Sequence, residues 1–265
     1  MRKDADHRGI GAAKSPIAQG QNRSLVRGIE ILRAFRQGVD HLGNGEIAER
    51  TGLSKATVSR LTQTLVAVGL LDHDPRLRTY RLAATVLTLA HAMRIGSPLL
   101  RAAAPLIREA AERLKVNVGL AAADRDAMIY LEAVRANRKS SLRNVVVGQR
   151  VPIELTSLGR AYIAALPEAD RDALLERLSA GGRPNWPRIV REIDIAVASV
   201  ARRGYCAAAW QPGVGALSTP LVLANGDIYA LNMSVATDEP LADVVRQLKS
   251  PLFTLRERLL EAQSG

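Results

Sequence analysis

Several chemistries are excluded by what this chain lacks. Cysteine occurs once, at Cys206. One thiol can form neither an internal disulfide nor a thiolate-rich zinc site, and the sequence predicts a reducing, cytoplasmic setting with no metal and no cofactor. Histidine occurs four times, at His7, His41, His73 and His91, so everything beyond residue 91 lacks the imidazole that a Ser–His or Cys–His relay requires. No G-x-S-x-G, H-E-x-x-H or G-x-x-x-x-G-K-[ST] motif is present. The carboxylates Asp124, Asp126 and Asp227 fall in expected turns, and solvated turn acids do not make an acid–base pair. No catalytic residue is expected. Aromatic residues make up only 3% of the chain, and no apolar run approaches the roughly 20 residues of a membrane span.

What the chain does have is positive charge, a net +11 over 265 residues. The excess is densest early: Met1–Ala83 carries 14 basic and 8 acidic side chains. A basic N-terminal part is expected where phosphate is met. Residues 1–22 lack periodicity and an apolar core, and they read as a disordered basic tail. Ser24 to Gln37 is predicted as an amphipathic helix with Leu25, Ile29, Leu32 and Phe35 on one face. The run Gly45 to Leu61 then reads as two helices joined by a tight turn. Ile47, Ala48, Leu53, Val58, Leu61 and Leu65 gather on one side, and Ile29, Ile31, Leu32 and Phe35 complete a three-helix core. Gly52 stands where the first of these helices must stop, and Ser54 is a good N-cap for the next, Ser54 to Val68. Its outer face offers Ser54, Lys55, Thr57, Ser59, Arg60 and Gln63, groups suited to base edges and phosphates in a major groove. Two extended pieces around Asp74-Pro75-Arg76 predict a hairpin, a wing with Arg76 and Arg78 at or beside its tip.

Thr85 to Ile95 is expected to be a short helix with an apolar stripe of Val86, Leu89, Ala90 and Met93. That stripe can cover a partner chain or pack on its own domains. Beyond Leu99 the pattern becomes mixed. Helices are predicted at 99–115, 157–165, 169–178, 188–203 and 241–262, and strands at 116–123, 127–134, 142–147, 205–210, 216–223 and 228–235. Asn225-Gly226 is a hairpin signal between the last two strands. The expected class is α+β, with about six strands in one antiparallel sheet.

The segment Arg23-Ser24-Leu25-Val26-Arg27-Gly28-Ile29-Glu30-Ile31-Leu32, the helix pair, and Val68-Gly69-Leu70-Leu71 resemble the IclR family of bacterial transcription regulators. Val151-Pro152, Thr156-Ser157-Leu158-Gly159-Arg160-Ala161, Arg203-Gly204-Tyr205, Pro212-Gly213-Val214 and Ala230-Leu231-Asn232-Met233-Ser234 are similar to that family's effector-domain signatures. The resemblance implies a winged helix-turn-helix domain (23–83), a linker helix (84–98) and a GAF-like α/β domain (99–265) that binds a small molecule and oligomerises. It implies dimers or dimers of dimers on a palindromic operator in double-stranded DNA, and an effector that is a small organic or aromatic acid. The alternative is a DNA-binding protein whose second domain only oligomerises.

Thr156, Ser157, Leu158 and Gly159 lead into a helix whose free N–H groups suit a carboxylate. Asn232 and Ser234 share one strand face and offer hydrogen bonds inside an apolar cup, lined further by Met128, Tyr130 and Leu142, with Ala216 where a second polar group is common. The stretch Cys206 to Gln211 departs from the family in having no acid, which points to a less hydrophilic effector or a lost one. Cys206 reads as a buried thiol, and Trp186 and Trp210 as core or dimer contacts ahead of ligand stacking.

Overall fold

The computed structural model describes residues 22–36, 38–136 and 146–264. The expected N-terminal tail, apart from Asn22, and Leu142 lie outside them. The chain divides into two compact units, Met1–Met93 and Arg94–Gly265.

In the first unit, α1 (Arg23–Ala34), α2 (Asn44–Thr51) and α3 (Lys55–Ala67) pack with a three-stranded antiparallel sheet ordered β1-β3-β2, where β1 is Leu42–Gly43, β2 is Leu71–Asp74 and β3 is Thr79–Leu82. Local chemistry fixes the helix ends. The Asn22 side chain accepts the N–H groups of Ser24 and Leu25 to start α1. The Glu46 carboxylate accepts the Gly43 N–H at 2.7 Å ahead of α2. Gly52 ends α2 at φ 65°, a left-handed conformation that costs least without a Cβ. The core gathers Ile31, Ala34, Leu42, Ile47, Val58, Leu65, Leu71 and Tyr80. Of the residues of α1 and its cap expected inward, Ile31 is buried and Leu32 and Phe35 pack partly against the core, whereas Leu25 and Ile29 do not. Apolar residues occupy more than half of its circumference, and the core takes the side centred on Ile31 (0% exposed), leaving Leu25 (64%) and Ile29 (41%) open.

α4 (Thr85–Gly96) follows with no buried residue at all. The division between the two units falls inside it. Leu87, Leu89, Met93 and Ile95 are all more than half exposed.

The second unit is built on six antiparallel strands in the order β6-β5-β4-β9-β8-β7. These are β4 (Asn117–Asp124), β5 (Ala127–Val134), β6 (Arg150–Pro152), β7 (Cys206–Ala208), β8 (Val214–Val222) and β9 (Ile228–Ala236). One face carries Val118, Leu120, Leu217, Leu231 and Met233 against α5 (Pro98–Leu114) and α9 (Leu241–Ser264). The other carries Ala121, Met128, Tyr130, Cys206 and Ala230 against α6 (Ser157–Ala165), α7 (Glu168–Ala180) and α8 (Trp186–Arg203). Alternation along each strand feeds two cores from one sheet.

Two strand expectations change. Of the strand expected at 142–147, residues 146 and 147 are loop and turn, and the strand that pairs with β5 is Arg150–Pro152. The strand expected at 205–210 is only Cys206–Ala208, its pairing with β8 ending at Ala208↔Ala216. Trp210 therefore lies in the connecting loop.

Candidate functional site

The first unit presents the polar end of α3. Ser54 caps it, its Oγ accepting the Thr57 N–H at 3.3 Å and sharing a 2.9 Å bond with the Thr57 hydroxyl. Ser54, Lys55, Arg60 and Gln63 are exposed, and Thr57 and Ser59 half-buried. Behind them Val58, Thr62 and Leu65 are buried. Thr62 donates to the Val58 carbonyl at 3.0 Å and lies 3.4 Å from Asn44 Oδ1 of α2, so its hydroxyl is satisfied on the inner side.

Strands β2 and β3 form the wing. The Asp74 carboxylate accepts the N–H groups of Arg76 (2.8 Å) and Leu77 (3.1 Å) and folds the tip. The Leu77 bond in particular holds this carboxyl below its ordinary pKa. Arg76 and Arg78 are exposed at the tip, Arg78 at φ 54°. An ion pair between Asp72 and Arg81 at 3.2 Å joins the two strands at an in-register position.

The second unit holds a cavity of about 140 Å³ between the sheet and the start of α6. Of the residues expected there, Tyr130, Thr156, Ser157, Leu158, Ala216, Asn232 and Ser234 line it. Met128 does not, being fully buried in the core beneath α6 where it pairs with Val151. Gly159 does not either. Its N–H is already taken by the Thr156 hydroxyl at 3.1 Å, and its α-carbon backs onto the Ile153 carbonyl. Among the described residues nothing accepts the N–H groups of Ser157 and Leu158, so two donors of the first turn of α6 remain for an occupant.

The Ser157 side chain has a structural task. Its hydroxyl shares a 2.8 Å bond with Ser218 of β8, and its carbonyl accepts the Cys206 thiol at 3.3 Å. Burial raises that thiol's pKa to about 12, and burial likewise raises the Tyr130 hydroxyl to about 12. Both groups are neutral near pH 7, so neither is a ready nucleophile or base.

Several wall residues were not foreseen: Gln149, Arg150, Val151 and Pro152 from the β6 region, and Trp210, Gln211 and Val214 from the loop into β8. Short edge strands and loops have no periodicity to betray which way they face. The Arg150 guanidinium is tied to the Asp124 carboxylate and to the Asp124 carbonyl at 3.2 Å. A second ionic group braces α6 from behind. Arg160 donates to the Glu154 carbonyl at 3.0 Å and to the Glu192 carboxylate at 2.5 Å, and Arg183 pairs with Glu154 at 2.7 Å and Asp126 at 3.2 Å. Burial holds Glu154 above its ordinary pKa, whereas the Arg188 hydrogen bond holds Glu192 below its own. Asp126 is the exposed turn acid expected, though paired with Arg183, whereas Asp124 ends β4, is largely covered and pairs with Arg150.

Comparison with known proteins decides the family. A model of the IclR helix-turn-helix domain matches residues 24–75, and a model of the bacterial transcriptional regulator IclR C-terminal domain matches residues 91–248. The chain belongs to the IclR family. It is 36% identical over 187 residues (70% of this chain, 67% of the relative) to the HTH-type transcriptional regulator TsaQ1/TsaQ2 of Comamonas testosteroni. It is 27% identical over 239 residues (89% and 81%) to the Pca regulon regulatory protein of Pseudomonas putida. The crystal structure of an IclR family transcriptional regulator from Brucella abortus superimposes with a TM-score of 0.84 at 32% identity, covering 96% of this chain and 97% of that one. This IclR-family chain is therefore an α+β DNA-binding transcriptional regulator. Among the described residues, no helix is long and apolar enough to cross a membrane.

Proposed function

We propose that this regulator reads a palindromic operator as a homo-oligomer in the cytoplasm, that a small organic acid of single-ring size modulates it, and that it catalyses no reaction. The observation that carries the ligand reading is the cavity at the start of α6. Two unclaimed N–H groups and the positive end of the helix favour an anion there. Tyr130, Trp210, Val214 and Ala216 supply apolar wall. A volume near 140 Å³ is close to the ~150 Å³ that accommodates one benzene ring in a well-studied cavity of another protein. Among the described residues no acid lines the cavity, and Arg150, paired with Asp124, stands at its wall.

For DNA, α3 enters the major groove with Lys55, Thr57, Ser59, Arg60 and Gln63, while Ser54, Arg76 and Arg78 meet backbone. Pairing uses α4, whose exposed apolar side chains call for a second copy. Within the second unit, Arg94 donates to the Leu131 carbonyl and pairs with Glu132 at 2.5 Å. An effector that prefers one arrangement of paired chains shifts operator affinity by that preference.

The test is a thermal-shift screen of single-ring and short-chain organic acids on the full-length protein, coupled to a gel shift on DNA upstream of its own gene. Ligand at a hundred times Kd adds about 2.7 kcal/mol of stability, visible as several degrees in Tm. At least one acid is expected to raise Tm and alter the gel shift. A broad panel without a hit would leave a domain that only oligomerises.

A further inference from the structure

The wing carries a hollow of its own, whose two imidazoles take no part in the contacts described above. Its volume is about 320 Å³, and it is lined by His41 just before β1, by Asp72, His73 and Asp74 of β2, by Arg76 of the tip and by Arg81 of β3. That is about ten times the ~30 Å³ share of one water, room for a phosphodiester group and bridging waters. Two aspartates and two arginines cancel, so the hollow has no net charge with both imidazoles neutral and gains up to +2 with both protonated. Asp40, beside His41 in the chain, and Arg78, at the tip, are the adjacent charges, one of each sign, and neither lines it.

The two carboxylates are already engaged. Asp74 accepts the Arg76 and Leu77 N–H groups, and Asp72 takes Arg81 Nε at 3.2 Å, which leaves the terminal nitrogens of that guanidinium to donate elsewhere. The imidazoles are not used up. His41 Nδ1 lies 3.5 Å from the Thr79 hydroxyl, and the His73 ring stands 4.9 Å from the Tyr80 ring, centroid to centroid. Among the described residues neither imidazole makes another hydrogen bond. The Leu77 N–H is the main cause of the low Asp74 pKa, and both imidazoles add to it, as neighbours of that carboxylate would. Protonation therefore turns a neutral hollow into one that favours an anion, and gives each ring a second N–H to donate. Arg76 belongs both to this hollow and to the tip that meets DNA backbone, so the anion within reach is a DNA phosphate.

We propose that the hollow seats a backbone phosphate on protonated His41 and His73, beside Arg76 and Arg81, so that DNA binding is proton-linked and strengthens as the medium becomes acidic. This rests on the reading of the wing as a DNA contact. Imidazole is the side chain whose charge ordinarily changes between about pH 5 and 8. A phosphate favours the charged ring, so protons are taken up with DNA, and affinity is lost as pH rises through the imidazole range. Phosphate carries no base identity, so the same linkage holds on any duplex.

The experiment is fluorescence anisotropy of the full-length protein at pH 6 and pH 8 and constant ionic strength. The probes are a duplex from the DNA upstream of its own gene and an unrelated duplex of equal length. Kd is expected to be about tenfold lower at pH 6 than at pH 8 on both. Two double variants are compared, His41→Gln with His73→Gln, and His41→Gln with His73→Phe, which keeps a ring on Tyr80. Each is expected to bind within about twofold of the native protein at pH 8 and to lose most of the pH ratio. Both retain His7 and His91, and Tm is recorded at each pH. The proposal is overturned if the native protein binds alike at the two pH values, or if the ratio survives both double variants. It is also overturned if the variants lose the same factor at pH 8 as at pH 6, which would make the rings structural. A ratio confined to the upstream duplex would mean base reading, and a ratio abolished by millimolar inorganic phosphate at matched ionic strength would mean a free-anion site; either overturns it. Arg76→Ala separates the two readings. Unchanged affinity at pH 6 overturns the wing contact and the phosphate seat together, whereas weakened binding without any native pH ratio overturns the seat alone.

Discussion

Arg60 lies exposed on α3 two residues after buried Val58, so its guanidinium points away from the core that holds the helix. Arg60→Ala should weaken operator binding by about 1–3 kcal/mol if it reads a base, with Tm unchanged; equal affinity in a gel-shift titration removes it from the interface. Cys206 offers a second check. With a pKa near 12, about one thiol in ten thousand is ionised at pH 8. A thiolate-directed reagent should leave the native protein unlabelled at that pH and label it fully in denaturant. Rapid native labelling would show that the β7 edge opens. At this scale the chemistry was partly legible in the sequence. Asn232 and Ser234 announced a shared face by alternation, and Thr156 announced a helix cap. Met128 announced the same face as Tyr130, but alternation tells side and not depth, and Met128 lies under α6 where no space remains. Arg150 gave no signal because a three-residue edge strand carries no period, and Trp210, in a loop, reads from the sequence as a core or dimer contact ahead of ligand stacking.

Helix ends were the most readable part of the elements, since each depends on a few neighbouring groups. Ser54 before α3 and Gly52 after α2 sit where their side-chain chemistry requires. Ser54→Ala should cost about 1 kcal/mol by removal of an N-cap. Chemical denaturation of the first unit would measure it, and an unchanged midpoint would mean that the Thr57 hydroxyl takes over the cap. The orientation of α1 was less legible. Its apolar residues span too wide an arc for spacing to choose between the Ile31 side and the Leu25–Ile29 side, and the tertiary core made the choice. β1 was missed altogether, because two residues of a strand exist only through their partner: Leu42 and Gly43 pair with Tyr80 and Thr79 far along the chain.

At the scale of the whole molecule, the apolar surface of α4 is the feature most at odds with a lone chain. An isolated helix of about 12 residues is marginal in water, so tertiary or partner contact must hold it. Leu89→Glu combined with Met93→Glu places charge on that surface. The pair should shift the protein to a smaller species in analytical ultracentrifugation and weaken operator binding by losing the second half-site. An unaltered sedimentation coefficient would move the pairing surface elsewhere. The charge distribution foretold the first unit's task, whereas nothing in composition foretold which surface pairs. The scarcity of aromatic residues has an optical consequence. The chain holds two indoles; Trp186 opens α8 and packs partly against the core of that face, and Trp210 forms cavity wall. Substituting Trp186 with Phe would leave one emitter beside the ligand space, so occupancy could be followed by intrinsic fluorescence without any attached dye.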